Sequence, residues 1–439
     1  MSVRFWDVGS LGDGRSFSDA RATSLGLEAA LAGAPGAPET ARAGARDTRP
    51  RPLADRRLMV ETFGVEAAET HVAAWRDLVD RALEPNAFMD PSFAAPAALH
   101  VPPALRPEFV AVWEGIGFEP RGRMIGLMAI RSRSSFLTRG LAIGWLHPHA
   151  AVGAPLVDRM AATRAIDALF DWIARERRGW TGLVLPRLVR TGPLFSALIA
   201  RAVANNRAWS VAAPYERAVL LSGQSSDNVL RGVHSPRLRK EHNRKLNRLR
   251  DLGRIEIRST SGAGEVRDSI ETFLALEQKG WKGRRGTALL SSVGDATFTR
   301  VMTRLMARRG QCRIDCLTLN DRPVAMAIMI ASAGRCYFWK TAYDESFAAY
   351  SPGALLARML IERQLAEPGI DLTDSCAIAD HPMIDRIWPD RQTMADFEIC
   401  CAPPRARAFD AAIRRRTAWR KLRASAKLAL AGALGRRIS

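Results

Sequence analysis

Past residue 57 the chain alternates short apolar runs of strand length with longer stretches whose apolar residues recur at helical spacing. The succession occurs twice, offset by about 200 residues. In the first copy, residues 58–65 form an apolar run, followed by a predicted helix over 66–83 and predicted strands over 109–113, 123–131 and 136–145. Ile166, Leu169, Phe170 and Ile173 then fall at i, i+3, i+4 and i+7, the mark of an amphipathic helix, and a strand is expected over 182–185. In the second copy, Val266, Ile270, Phe273, Leu274 and Leu276 predict a helix over 266–279. Ile314 and Cys316 alternate with Arg313 and Asp315 in a strand over 313–319, and Asn320-Asp321-Arg322-Pro323 turns it into an apolar strand over 324–330. Ala333-Gly334 leads to a third strand over 335–341, then to the helical stretch PGALLARMLIERQL and a last strand over 370–373. Even the segments after the third strands are alike, GAPLVDRM at 153–160 and PGALLARM at 352–359. A repeat of this length indicates duplicated domains, because solenoid repeats are far shorter. The expected fold class is α/β (α+β), with two tandem domains, each a mixed, mostly antiparallel sheet flanked by helices.

The organisation expected is a flexible tail over 1–57, rich in Ala, Gly, Arg and Pro, then domains over 58–220 and 221–402, then a tail over 403–439. The formal charge of +20 sharpens this division. Residues 231–258 hold ten Lys/Arg against three Asp/Glu, a local +7, and residues 405–439 hold eleven against one, a local +10. The rest of the chain carries only +3, so this is a near-neutral body with two basic attachments, which disfavours histone-like and ribosomal-type readings, since these need charge spread through the chain. Ser235-Pro236 starts the first basic segment as a helix over 235–252, with Leu238, Leu246, Leu249 and Leu252 on one stripe and Gly253 as its stop. The second reads as a basic amphipathic helix, with Phe409, Ile413, Trp419, Leu422, Leu428 and Leu430 as its apolar side, suited to an anionic membrane surface or to packing on its own domain.

The first residues have no signal-peptide pattern, and no apolar run is long enough to span a bilayer. The cysteines at 312, 316, 336, 376, 400 and 401 form no CxxC pair, which points to reduced thiols in a cytoplasmic protein, peripheral at the inner membrane face if the last helix binds there. His147 and His149 flank Pro148 without a carboxylate or cysteine at ligand spacing, so they read as a turn, and no metal is expected.

Chemistry concentrates around Tyr350-Ser351-Pro352-Gly353-Ala354. Pro352 suits a first helical position, Ser351 an N-cap, and Gly353 a close approach to the backbone. Free N–H groups and the helix dipole at such a start suit a pyrophosphate, although an ordinary strand-to-helix cap has the same appearance. The second motif is Glu277-Gln278-Lys279-Gly280-Trp281-Lys282-Gly283, a charged loop that carries Trp281 and Lys282 and is either solvated with one buried Trp or part of a binding site. Tyr337 and Trp339 share one face of the third strand, where they either line a groove for a sugar or pack in the core.

A three-stranded meander feeding a helix through a Gly-containing turn resembles the GCN5-related N-acetyltransferase (GNAT) fold. Two in tandem resemble the Fem-type aminoacyltransferases and, more closely, the bacterial cellulose-biosynthesis-type acetyltransferases; the resemblance rests on the Glu277–Gly283 stretch and on Ala349-Tyr350-Ser351-Pro352-Gly353-Ala354-Leu355-Leu356. It implies acetyl-CoA or another acyl-CoA as donor, with the pyrophosphate at Tyr350, Ser351, Gly353 and Ala354, and acceptor contacts from the loop that carries Trp281 and Lys282. One departure stands out. The usual Gln/Arg-x-x-Gly-x-Gly/Ala pattern is absent, since only Gly353 is present, and the first-half loop Val152-Gly153-Ala154-Pro155 is poorer still, so that half is expected to be a degenerate partner. Acyl transfer needs an aligned acceptor, a base and stabilisation of the developing oxyanion, and no covalent nucleophile. Base candidates are Asp374, after the last strand, with Glu277 and His381. The leading expectation is therefore an acyltransferase acting on an amine or hydroxyl, with a small-molecule or saccharide acceptor such as a polysaccharide precursor. Its rivals are a Fem-type enzyme with aminoacyl-tRNA as donor and a non-catalytic adaptor at an anionic membrane or polymer. Nucleic acid is the less favoured partner of the basic helix, which lacks interleaved aromatics.

Overall fold

The computed structural model describes residues 28–31, 56–116, 122–131, 138–175, 179–233 and 236–435. It is a mixed α/β structure of two sheets flanked by helices. The expected flexible tail over 1–57 lies largely outside the described residues. Residues 28–31 are an exception: they form a helical turn, with Leu31 buried, its carbonyl accepting from Arg76, and Glu28 paired to Arg304 at 2.6 Å.

In the first half, β1 (Arg56–Phe63), β2 (Pro107–Ile116) and β3 (Arg123–Arg131) form an antiparallel meander. The predicted helix over 66–83 is a 3-10 turn followed by α1 (Val72–Asp80), and α2 (Pro91–Leu99) is buried on every side. The expected third strand shrinks to β4 (Leu141–Ile143), which pairs parallel to β6 (Gly182–Val189), while Gly144 just after it makes a single bridge to Ile130 of β3. Where the second half starts a helix, this half runs into β5 (Leu156–Val157), and α3 begins only at Ala162 (Ala162–Arg175). α4 (Pro193–Ala204) then leads to the long β7 (Trp209–Leu221).

The second half repeats the scheme in full. After α5 (Ser226–Val233) and the basic α6 (Pro236–Arg250) come β8 (Ile255–Thr260), α7 (Ala263–Lys279), the one-turn α8 (Trp281–Arg284) and α9 (Val293–Ala307). β9 (Cys312–Leu319), β10 (Arg322–Ser332) and β11 (Arg335–Tyr343) make the meander, α10 (Pro352–Ala366) crosses over, and β12 (Leu372–Asp374) pairs parallel to β11. β13 (Asp390–Cys400) and α11 (Ala406–Gly435) close the chain.

The final strands of the two halves are exchanged. β7 follows the first half but pairs with β12 of the second, while β13 follows the second half and pairs with β6 of the first. β7 and β13 pair with each other from Asp390↔Val219 to Ile399↔Trp209, which makes one sheet run through both halves. One apolar cluster likewise spans them, with Phe88, Phe93 and Val110 together with Phe273, Phe298 and Tyr337.

The terminal helix follows one of its two expected readings, packing on its own domain through its first turns. Phe409, Ala412 and Ile413 pack on Leu141, Ile143 and Val184, and Arg416 reaches Asp396 at 2.8 Å and Glu398 at 2.6 Å. Trp419 and Leu422, expected on its apolar side, are exposed. Among the described residues no helix is long and apolar enough to cross a membrane, and all six cysteines are free.

Candidate functional site

β12 keeps company with β11 for only three residues, from Arg335↔Leu372 to Tyr337↔Asp374. Beyond this the two chains part, and the opening is roofed by the start of α10. A cavity of about 760 Å³ fills the space. Thr341, Ala342 and Tyr343 form one wall, Ile378, His381 and Pro382 the other, and Ser351 to Ala354 the roof. The basic helix α6 closes a third side with Leu238, Glu241, His242 and Lys245, and α8 contributes Trp281 and Lys282. The size falls within the range of ordinary ligand pockets.

The roof is built from local chemistry. Pro352 sits at the first helical position as expected. Ser351 stands at the N-cap but in the left-handed region (φ 52°, ψ 53°), and no side chain caps the helix; its hydroxyl instead accepts from Lys245 Nζ at 3.0 Å. A serine in that region costs about 1 kcal/mol, a strain that such sites tend to hold. A Cβ on Gly353 would meet only Tyr343 Cδ1, at 3.7 Å, so the protein itself leaves that space open. Tyr350 stacks under Arg248 beside the cavity and does not line it. The matching first-half loop is filled: Val152 and Ala154 are buried, and a Cβ on Gly153 would lie 2.4 Å from the Pro186 carbonyl.

Gly280 ends α7 in an extended conformation, and what the sequence presents as a loop is the one-turn α8, because Glu345 anchors it. Glu345 accepts the Trp281 N–H at 2.5 Å and pairs with Arg284 at 2.6 Å. Trp281 is 41% exposed at the cavity mouth. Lys282 points inward, 2.7 Å from Glu277 Oε1 and 2.9 Å from the Thr341 carbonyl. Glu277 is buried, and its other oxygen accepts the Leu289 N–H at 2.8 Å, so both oxygens are engaged in placing Lys282 and the following segment.

The remaining candidates separate. Asp374 is fully buried and does not line the cavity; it pairs with the equally buried Arg217 at 3.2 Å and accepts the Cys376 N–H at 2.7 Å. Arg217 goes on to the carbonyls of Ala377 and Ala151, both at 3.0 Å, so the pair fastens the base of the opening to the first half. His381 lines the cavity, but its Nδ1 accepts from the N–H groups of Met383 and Ile384 at 3.3 Å, which leaves the neutral ring with its proton on Nε2. Burial lowers its pKa further, so it offers a donor and not a base. Tyr337 and Trp339 are core residues, because alternation along β11 turns both, with Ile330 of β10, into the main apolar cluster; the Trp339 indole donates to the His149 carbonyl at 2.7 Å.

A register shift between Ile328 and Met329 sets Lys340 on that inner face as well, a residue with no motif around it in the sequence. Its Nζ lies 3.0 Å from His149 Nδ1, and His149 Nε2 lies 3.3 Å from Asp295 Oδ1. Burial, with repulsion from Lys282, pushes the Lys340 ammonium down to about 8, against the pull of Glu277 and Asp295. Burial also lowers His149, and it lowers His147 to about 3. The turn expected at His147 and His149 is present, and no metal-binding group occurs among the described residues.

Residues 236–381 match the family model described as an acetyltransferase (GNAT) domain, which contains α6, the whole meander, α10 and His381. No curated protein matches the chain in sequence. Among solved structures it is similar to FemX, with a TM-score of 0.49, 11% identity, and 78% of this chain and 98% of that one covered. It is also similar to the C-terminal domain of a putative lysylphosphatidylglycerol synthetase from Agrobacterium fabrum, with a TM-score of 0.46, 11% identity and coverages of 76% and 92%. A GCN5-related N-acetyltransferase from Kribbella flavida gives 0.29, 9%, 80% and 73%. At these identities nothing about donor or acceptor passes from those proteins to this chain.

Proposed function

We propose that the second half transfers an acyl group from a coenzyme A thioester to an amine or hydroxyl, with the first half as a partner that binds no donor. The observation that carries this reading is the cavity's position, under an uncapped helix start and at the point where β11 and β12 part. The residues fit an elongated, anionic carrier. The first N–H groups of α10 and the open space at Gly353 suit its pyrophosphate, and Lys245, Lys282 and Arg386 supply positive charge around it. A bound thioester would supply the activated acyl carbon. Glu277 orients Lys282, and the His381 Nε2–H is a donor for an acceptor oxygen. The exposed ring of Trp281 at the mouth suits the face of a sugar, which favours a saccharide acceptor. Six free cysteines fit a reducing, cytoplasmic setting, and the exposed Trp419 and Leu422 among the basic residues of α11 fit contact with an anionic surface.

One observation favours a second donor. α6 is itself a wall of the cavity, and Arg237, Lys240, Arg244 and Arg248 are exposed on it at i, i+3, i+7 and i+11, a track suited to aminoacyl-tRNA. Calorimetry with coenzyme A, and with aminoacyl-tRNA in parallel, separates the two. For the coenzyme A reading, micromolar binding is expected, with a loss of at least about tenfold in Gly353→Trp at an unchanged melting temperature, since the indole would project into the cavity. Binding that survives this substitution sinks the proposed site; binding of the tRNA alone replaces the donor; binding of neither leaves the adaptor.

A further inference from the structure

Lys340, His149 and Asp295 meet on the side of the β11–β12 opening that faces away from the cavity. Lys340 comes from β11, His149 from the first-half turn at 147–149, and Asp295 from the first turn of α9. Lys340 and Thr341 are neighbours on β11, and the register sets their side chains on opposite faces: Lys340 opposite Ile328 of the main cluster, Thr341 opposite Ala327 of the α10-side cluster. The Thr341 carbonyl holds Lys282 in the cavity wall, so the cavity begins one residue along β11 from Lys340. Among the described residues no carboxylate comes within salt-bridge distance of Lys340 Nζ. Its polar neighbour at 3.0 Å is a ring nitrogen, with the Trp339 ring beside it at 5.6 Å. An ammonium buried this way keeps its charge poorly.

We propose that Lys340 is the proton acceptor of the transfer and that His149, backed by Asp295, positions its amine, so that the acceptor substrate enters between the two halves while the donor lies on the α10 side. This rests on the acyl-transfer reading above. In the step, the acceptor nitrogen or oxygen uses its lone pair to form the bond to the acyl carbon and gives its proton to the neutral Lys340 Nζ. The acyl–sulfur bond breaks, the departing sulfur keeps that electron pair and is protonated by solvent, and Lys340 later returns its proton to solvent. Asp295, Glu277, Lys282, His147, His149 and Cys376 are the titratable groups around the amine, from α9, α7, α8, the 147–149 turn and the segment after β12. Burial and Lys282 hold the amine near a pKa of about 8, so it is available as a base in the neutral range.

The test uses the full chain, acetyl-CoA as donor and hydroxylamine as a surrogate acceptor, with thiol release followed against pH. Hydroxylamine is already neutral across this range, so a rise near pH 8 belongs to the protein. Lys340→Met should lower turnover by about 100-fold and abolish that rise, with coenzyme A affinity and melting temperature unchanged. Lys340→Arg keeps a positive donor beside His149 but cannot give up its proton, so a base predicts no rescue and a structural cation predicts recovery. An independent readout needs no donor: trace acetylation by acetic anhydride, followed by mass spectrometry, should show Lys340 losing its proton near pH 8. A labelling midpoint in the ordinary lysine range overturns the proposal. So does full activity in Lys340→Met, or rescue by arginine, or wild-type protein that binds coenzyme A yet releases no thiol above background. Failure of the wild type to bind coenzyme A is a different result, which removes the acyl-CoA reading and this proposal with it.

Discussion

Burial determines what the imidazoles of the 147–149 turn can do. His147 is packed among Phe93, Trp145 and Phe298, and is held neutral down to about pH 3 against an ordinary value of 6.5. The unfolded chain takes up that proton at higher pH than the folded chain does. The stability carried by neutral His147 is therefore complete above 6.5 and is lost as pH falls from there toward 3. His100, His149, His242 and His381 shift in the same direction. For His147 alone the loss should be about 2 kcal/mol between pH 7 and pH 5. His147→Phe keeps the ring contacts and removes the titration, so denaturant unfolding at the two pH values should show a shallower acid slope in the variant. Equal slopes would mean that His147 is protonated within the fold. Carboxylates follow a parallel rule. Asp374 and Glu277 are fixed by partners on both oxygens, and each works through the group it holds, Arg217 or Lys282.

At the scale of elements, α8 is too short to be stable by itself, and its place depends on one carboxylate. Glu345 binds both its first N–H and Arg284, and α8 in turn presents Trp281 and Lys282 to the cavity. Glu345→Ala should weaken coenzyme A binding about fivefold in calorimetry while the melting temperature stays put, and an unchanged affinity would show that α8 is held by other means. The meander and α10 were legible in the sequence because their signals are local: alternation in β9 and β11, turn chemistry at 320–323, proline and glycine at the head of α10. α2 was not legible, since all nine of its residues are buried and no polar face marks a period. β4 was overpredicted, because an apolar run of strand length does not reveal which sheet it joins. The same contrast divides the site. Ser351 to Ala354 carry their geometry in adjacent residues, whereas Lys340, His149 and Asp295 come from three elements that only the fold brings together.

At the scale of the whole molecule, the exchange of β7 and β13 makes the boundary in the sequence differ from the boundary in the structure. A cut after residue 220 follows the repeat but removes β7 from β12 and β13. It would strip Ala218 and Leu220 from the cluster beneath α10, and Arg217 from the buried Asp374, whose charge would be left uncompensated at a cost of roughly 3–5 kcal/mol. A fragment of residues 221–439 should therefore fail to unfold cooperatively and should aggregate through its bare strand edges. A cut between Asn206 and Arg207, in the turn before β7, leaves every strand pairing intact. A protease site inserted there should give two pieces that co-elute on size exclusion and melt together, because β13 still pairs with β6 across the cut and the shared cluster stays closed. Pieces that separate without denaturant would mean that the exchanged strands add little. In that case the meeting of His149 with Lys340 across the two halves would lose its rigid support, and the nicked protein should lose thiol release before it loses coenzyme A binding.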